Sequence, residues 1–179
     1  MSLNLSPLAL LAAISFPSLA AAQAGPPALG DAQVAHVAAT ANTIDVELGR
    51  LAESRAESPE VKRFAAMMRR DHTAVNEKAA ALAGRLGLTP KDNPVSASLL
   101  KGAAEARARI EPLEGAAFDR AYIEREIAYH EAVLQALDDV LVPTTENAEL
   151  KQLLVNVRPA FEAHLAFARQ VGAKIHASR

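Results

Sequence analysis

The sequence predicts an all-α protein, specifically a four-helix bundle with a longer connection, containing a short extra helix, between helices two and three. Apolar residues recur at spacings of three and four along four long segments. No segment alternates apolar and polar residues over a length that would favour a strand. The composition is rich in Ala, Leu, Glu, Arg and Val, which favour helices. An α-solenoid is the alternative, but no motif recurs at a fixed period.

The first residues are predicted to form a signal peptide. Residues 8–22 make an uncharged apolar run that ends in small residues, which is typical of an export signal. A run of about 15 residues is shorter than the roughly 20 that span a bilayer. Cleavage is predicted after Ala22 or Ala24, so residues 1–24 are assigned to the signal and the protein is expected in the periplasm or secreted. A buried helix or uncleaved anchor is disfavoured by Pro17.

Residues 25–179 are predicted to form a single bundle domain, whose first two helices have clear boundaries. The first helix is predicted from Asp31 to Glu57. Ser58 is a good N-cap and Pro59 suits the first position of the second helix. Gly87 is expected to end that helix. The first helix carries an apolar stripe formed by Val34, Val37, Ala41, Ile44, Leu48 and Leu51.

The second half of the chain contains a connection and two further long helices. Residues 88–94 are predicted to form a loop and residues 96–110 a shorter helix. The third long helix is predicted over residues 116–141. Asn147 is expected to cap the fourth helix, and Pro159 is expected to kink it because proline removes one hydrogen bond and crowds the preceding turn.

Composition excludes several classes of function. The chain contains no cysteine, which excludes disulfides, thiolate metal sites and a cysteine nucleophile. The formal net charge is −2, with both signs mixed along the chain, and this argues against nucleic acid as a partner. No membrane-spanning helix is predicted in the mature chain, and no organic cofactor motif is found. The protein partner is left open, and a homo-oligomer is compatible with the sequence.

Polar groups on apolar helix faces are the candidate site residues. His72, His130 and His164 each occupy a position where a core residue is expected. Glu47 flanks the stripe residues Ile44 and Leu51. The primary metal-ligand candidates are therefore Glu47, His72, His130 and His164, with Asp71, Glu126 and Asp119 as alternative or supporting residues. Imidazole with carboxylate, and without thiolate, suits zinc, copper, iron or manganese.

The spacing predicts one metal ion and not oxygen-activating di-iron chemistry. A di-iron bundle needs Glu-x-x-His on two helices. Here Tyr129 lies three residues after Glu126, and His130 lies four residues after it. The competing interpretation is a hydrogen-bonded polar layer that fixes the register of the helices without a metal. No catalytic residue is predicted, and an enzymatic function has the least support.

Four segments of the chain resemble a known family. They are residues 44–52, 61–73, 118–130 and 159–165, with the Asp71-His72 pair and the Phe-Asp-x-x-Tyr segment as the most specific parts. They are similar to the exported bacterial family known as domain of unknown function 4142, often labelled "predicted outer membrane protein". The resemblance covers about residues 31–173. The family's motif positions fall on Glu47, Asp71, His72, Asp119, Tyr122, His130 and His164.

The resemblance implies a ferritin-like four-helix fold and a signal peptide, but no activity. Together with the histidines, it leads us to expect an exported periplasmic bundle protein that binds a metal ion for sensing, storage or stress protection. The alternative is a non-enzymatic structural or interaction protein of the cell envelope.

Overall fold

The structure is a computed structural model that describes residues 29–177, and within that range it consists of helices and connecting turns with no strand. The predicted all-α class is confirmed. The predicted signal peptide, residues 1–24, lies outside the described residues. The helices are α1 (Asp31–Arg55), α2 (Pro59–Leu86), α3 (Pro94–Ile110), α4 (Gly115–Ala136), α5 (Val142–Thr144) and α6 (Ala148–Ala177), and a π-helical turn (Leu137–Leu141) joins α4 to α5.

The turn between α1 and α2 is held by side-chain oxygens. Ser58 caps α2, and its hydroxyl accepts the backbone N–H of Val61 at 3.5 Å. The Asp119 carboxylate, from α4, accepts the backbone N–H groups of Glu57 and Ser58 at 3.1 and 2.7 Å. The predicted cap is confirmed, and Asp119 ties α4 to this turn.

The connection after α2 carries the chain back along the molecule. Gly87 ends α2 with φ of 61°, a left-handed conformation that glycine adopts without steric cost. The Lys91 N–H then donates to the Ala32 carbonyl at 2.9 Å, near the start of α1. At the other end of α3, the Arg55 side chain donates to the Leu113 carbonyl at 2.9 Å, near the end of α1. Helix α3 therefore runs along α1, and α4 begins at the same end of the bundle as α2.

The four long helices pack in a ring. Helix α1 contacts α2 and α4, and α6 contacts the same two helices. Because α3 returns the chain, α1 and α6 run in one direction while α2 and α4 run in the other. Neighbours in the ring are therefore antiparallel.

The predicted third helix differs from the structure at its end. The α-helical pattern stops at Ala136, and the Val142 N–H donates to the Leu137 carbonyl, five residues back. The predicted turn after residue 141 is then partly helical, because α5 occupies its first residues. Periodicity alone does not reveal one extra residue in a helical turn.

The buried apolar residues form two clusters at opposite ends of the bundle, with polar residues between them. We call one cluster the packed half: Leu48, Ala52, Ala56, Val61, Phe64, Ala65, Met68, Ile110, Phe118, Tyr122, Ile123, Ala168 and Val171. We call the other the open half: Val34, Val37, Leu82, Leu137, Leu141, Leu150, Leu154 and Phe161.

Candidate metal centre

Three histidine rings meet in the layer between the two halves. His72 of α2, His130 of α4 and His164 of α6 are 2%, 1% and 3% exposed. Their ring centroids lie 5.3 to 5.6 Å apart. One ring nitrogen from each histidine lies within 4.8 Å of the other two. The structure thus brings three of the four primary candidates together.

Two of these rings are oriented by oxygen acceptors on their outer nitrogens. His72 Nδ1 lies 2.7 Å from Asn42 Oδ1, and His130 Nδ1 lies 3.0 Å from the Glu126 backbone carbonyl oxygen. An amide or carbonyl oxygen accepts hydrogen bonds, so each Nδ1 carries the proton and donates it. The lone pair is therefore left on Nε2 in both rings.

His164 is oriented the other way round. Its Nε2 lies 3.1 Å from Asp71 Oδ2, so the proton sits on Nε2 and the lone pair on Nδ1. Asp71 is in turn held by Arg70, whose Nε donates to its other oxygen at 2.7 Å. A carboxylate or carbonyl behind an imidazole is the usual arrangement around metal-binding histidines, because it fixes the tautomer and the ring orientation.

The three remaining ring nitrogens have no hydrogen-bond partner among the described residues. His72 Nε2, His130 Nε2 and His164 Nδ1 are each inaccessible to solvent and unpaired. A buried polar atom without a partner costs stability. Three unpaired lone pairs on converging rings fit a metal ion, which would bind all three at once.

A carboxylate lies beside two of the three rings. Asp45 of α1 is 1% exposed, and its Oδ2 lies 3.4 Å from His72 Nε2 and 4.0 Å from His130 Nε2. All four long helices therefore contribute one donor. Three imidazoles and one carboxylate are a set that suits a divalent transition metal.

A second cation position is already occupied by an arginine. Asp45, Glu126 and His130 also place one donor atom each within 4.8 Å of one another. However, Arg125 Nη1 donates to Asp45 Oδ1 at 2.6 Å and to Glu126 Oε1 at 2.7 Å. The guanidinium also lies 3.8 Å from the centroid of the Tyr129 ring. This fixed positive charge opposes a second metal ion between the two carboxylates.

Burial keeps the three histidines neutral. It lowers the pKa of His72 to about 4, against the opposing effect of the Asp45 charge. Burial also lowers the pKa of His130 and of His164. Neutral imidazole is the form that binds a metal, so all three rings are in the ligand state at neutral pH.

The pKa values of the two buried carboxyl groups are shifted in opposite directions. Burial raises the pKa of Asp45, but the combined opposite effect of Arg125 and the histidines is larger. The net shift of the pKa is downward, and Asp45 is ionised. Burial raises the pKa of Glu126 to about 8, against the effect of Arg125. Glu126 is therefore mainly protonated at neutral pH, and Asp45 is the carboxylate beside the histidines.

Glu47 is the primary candidate that the structure corrects. Its side chain is exposed, whereas Asp45 is buried. At about 100° per helical residue, Asp45 projects about 40° from Ala41, whereas Glu47 projects about 120° from it. The two residues thus lie at opposite edges of the apolar stripe, and the packing of α1 buries the edge that carries Asp45.

The supporting candidates take three different positions. Glu126 is fully buried in the layer, and Asp71 lies behind His164. Asp119 is buried but bonded to the turn before α2. It precedes Glu126 by seven residues, or about 10 Å along the helix, so it is not part of the cluster, and its expected role beside the imidazoles is corrected.

Three residues of the cluster were missed by the sequence analysis: Asn42, Asp45 and Arg125. Helical projection from the predicted stripe does not separate Asp45 from Glu47, because the two residues flank it on opposite sides. No sequence signal marked Asn42 or Arg125.

Among residues 29–177, no helix has the length and apolar character needed to cross a membrane.

Fold and site together define an all-α helical bundle with a buried cluster of histidine and carboxylate side chains. The family described as "Domain of unknown function (DUF4142)" matches residues 16–171, and the chain belongs to this family. The predicted resemblance is confirmed. No curated protein and no solved structure matches the chain.

Proposed function

We propose that this protein is an exported, ferritin-like helical bundle that holds one transition metal ion through His72, His130 and His164, with Asp45 as fourth ligand. The antiparallel ring of four long helices and the return along α3 support the ferritin-like assignment. The site would serve metal sensing, storage or protection against metal stress.

The single observation that carries the metal proposal is the orientation of the rings. Each histidine uses one nitrogen for a hydrogen bond to an oxygen, and each has its other nitrogen buried without a partner. A polar layer that only fixed helix register would pair these nitrogens with one another or with the carboxylates.

The alternative is a structural or interaction protein of the envelope with no metal. The Asp45–Arg125–Glu126 network favours it, since its hydrogen bonds are formed without any ion. The two proposals differ at the histidines, where the metal-free layer leaves three buried atoms unsatisfied.

The first experiment is a metal titration of chelator-treated protein, followed by calorimetry and thermal unfolding. We expect one ion per chain, with affinity increasing from Mn²⁺ through Fe²⁺ to Cu²⁺. Excess ion at about 100 times its dissociation constant should stabilise the fold by roughly 2.7 kcal/mol. If none of manganese, iron, copper and zinc binds or shifts the unfolding temperature, the metal proposal is wrong.

Variants of two ligands, with a matched control on α1, test the ligand set. Asp45→Asn should weaken binding at least tenfold, because it removes the negative charge beside the ion, and His164→Gln should abolish the 1:1 complex. Glu47→Gln lies two residues from Asp45 on the same helix but is exposed, so it should bind as tightly as the wild type. An equal loss of metal affinity in Glu47→Gln and Asp45→Asn would contradict the assignment of Asp45 as a ligand.

Export is tested separately. We expect protein recovered from the periplasm to begin at Gln23 or Gly25, after removal of the predicted signal. Recovery of full-length protein from the cytoplasm alone would contradict export without affecting the metal site.

A further inference from the structure

A cavity of about 270 Å³ adjoins the polar layer on the side of the open half. It is lined by α1, α2, α4 and α6 and by the π-helical turn. Four alanines of α1 and three of α2 form much of its wall. Because these side chains are short, the four helices leave space there, partly open to solvent, that longer side chains would fill.

Five polar side chains line this wall: Asn42, Asp45, His72, Asn76 and Tyr129. Most of their polar atoms are hydrogen-bonded within the part of the chain that the structure describes, but His72 Nε2 and Asn76 Oδ1 are not. Asn42 donates to the Ala38 carbonyl at 2.8 Å and accepts from His72. The Tyr129 hydroxyl donates to the Ala41 carbonyl at 3.1 Å. Asn76 donates to the Thr43 hydroxyl at 3.1 Å. A molecule in the cavity therefore meets mainly carbon.

Water is a poor occupant of such a space. A volume of 270 Å³ corresponds to about nine waters at roughly 30 Å³ each. Each buried water needs two to four polar partners, and enclosed apolar cavities stay dry. The wall does not offer partners for a cluster of that size.

An empty cavity is also unfavourable, because the residues around it lose packing contacts. An apolar cavity of about 150 Å³ binds benzene. By proportion, 270 Å³ gives room for about ten non-hydrogen atoms. The π-helical turn contributes Leu137 and Leu141 to the wall, and π-helical turns occur frequently at functional sites.

We propose that this cavity is a binding site for a small, uncharged, apolar molecule of about ten non-hydrogen atoms. The walls recognise it by shape and by removal of apolar surface from water. Asp45 is a charged residue of the wall that is paired with Arg125, and its negative charge opposes a buried anionic head group. Binding does not require a metal at the histidines, so this proposal is independent of the proposed function.

The test uses alkylbenzenes as probes of increasing size. Chelator-treated protein is titrated with benzene, toluene, ethylbenzene, propylbenzene and butylbenzene, and binding is followed by calorimetry and thermal shift. Affinity should increase about fourfold with each added methylene, up to the ten carbons of butylbenzene. The charged analogue 4-phenylbutanoate should bind at least tenfold more weakly than butylbenzene.

Filling variants locate the site. Ala83→Leu adds three carbons at a buried position of the wall. Butylbenzene should therefore bind at least tenfold more weakly, and the alkylbenzene that binds most tightly should have a shorter alkyl group. Ala38→Leu repeats the test from α1 if Ala83→Leu does not fold. Ala166→Leu, at an exposed position of α6, is the matched control and should bind all probes as the wild type does.

Three outcomes would overturn the proposal: no probe binds to the wild type, the affinities are independent of chain length, or the filling variants bind as tightly as Ala166→Leu. The metal proposal and the cavity proposal can fail separately, because the expected affinities for the probes are the same whether or not the protein binds metal.

Discussion

The two halves of the bundle are built from the same four helices but are filled differently. In the packed half, Phe64, Phe118 and Tyr122 are each 0% exposed, and the Phe64 ring lies 6.1 Å from the Tyr122 ring and 5.8 Å from the Phe167 ring. In the open half, alanines and leucines surround a cavity of about 270 Å³. The open half is set apart by short side chains and by a π-helical turn in its wall.

The histidine layer lies at the boundary between these halves. Phe161, from the open half, stacks on His72 with ring centroids 4.9 Å apart. Asp45, Asn42 and His72 belong both to the layer and to the cavity wall. The packed half therefore supports the histidine layer on one side, and the cavity adjoins the layer on the other.

The largest expected effect is loss of an aromatic ring from the packed half. Phe64→Ala should lower the free energy of unfolding by about 4 kcal/mol, because it removes a fully buried ring from a close-packed region. Urea unfolding of the metal-free protein measures the change. A loss below about 1 kcal/mol would mean that this half is not packed as described.

The second prediction concerns the pH dependence of the histidine layer. With its pKa lowered to about 4 from 6.5, folded His72 stays neutral where the unfolded chain takes up a proton. Its contribution to stability is therefore lost as pH falls from 6.5 to 4, by up to about 3 kcal/mol. The difference in unfolding free energy between metal-free wild type and His72→Gln should follow this window, and a constant difference would contradict it.

Glu126 changes the free energy of unfolding with pH in the opposite direction, and the same unfolding experiments measure its effect. Its folded pKa is raised from 4.5 to about 8, so the folded state holds a proton that the unfolded chain releases. Stability from this group is present below pH 4.5 and decreases as pH rises towards 8. Glu126→Gln should remove this decrease, and a wild-type slope in the variant would show that Glu126 is not the group responsible.

A smaller effect is expected where α1 and α2 approach closely in the packed half. A Cβ atom at Gly49 would lie 3.0 Å from the Ala65 carbonyl oxygen and 3.2 Å from the Arg69 backbone nitrogen. Gly49→Ala should therefore destabilise the protein by about 1–2 kcal/mol, although alanine is the better helix former. Thermal and urea unfolding measure it, with Gly84→Ala, whose Cβ meets nothing within 4 Å, as the control.

The smallest effect is expected in the open half, with the opposite sign. Ala83→Leu fills part of the cavity and should stabilise the protein without ligand by about 1 kcal/mol. Destabilisation comparable to that of Gly49→Ala would mean that both halves are equally packed, which would remove the contrast between them.

The sequence was sufficient to predict the long helices and several of their ends, but not the end of α4. Ser58, Gly87 and Asn147 act locally: Ser58 and Asn147 accept from N–H groups within three residues, and Gly87 adopts a left-handed conformation at the end of α2. Periodicity also selected His72, His130 and His164, because a polar residue in an apolar row is visible without coordinates.

The remainder of the site depends on contacts between distant segments. Arg125 meets Asp45 across 80 residues of sequence, and His72 meets Asn42 across 30. No local pattern records such pairs. Glu47 was selected and Asp45 was overlooked, although both flank the stripe, and only the packing of α1 within the ring decided which one is buried.

By itself, the amino-acid order determined which segments are helical, where they are capped and which histidines point inward, because these properties depend on residues within one or two helical turns. Only the tertiary structure decided the ring tautomers, the carboxylate that accompanies them, the arginine that bridges two acids and the cavity beside the layer. These depend on distances and volumes between four helices, which are set when the helices pack.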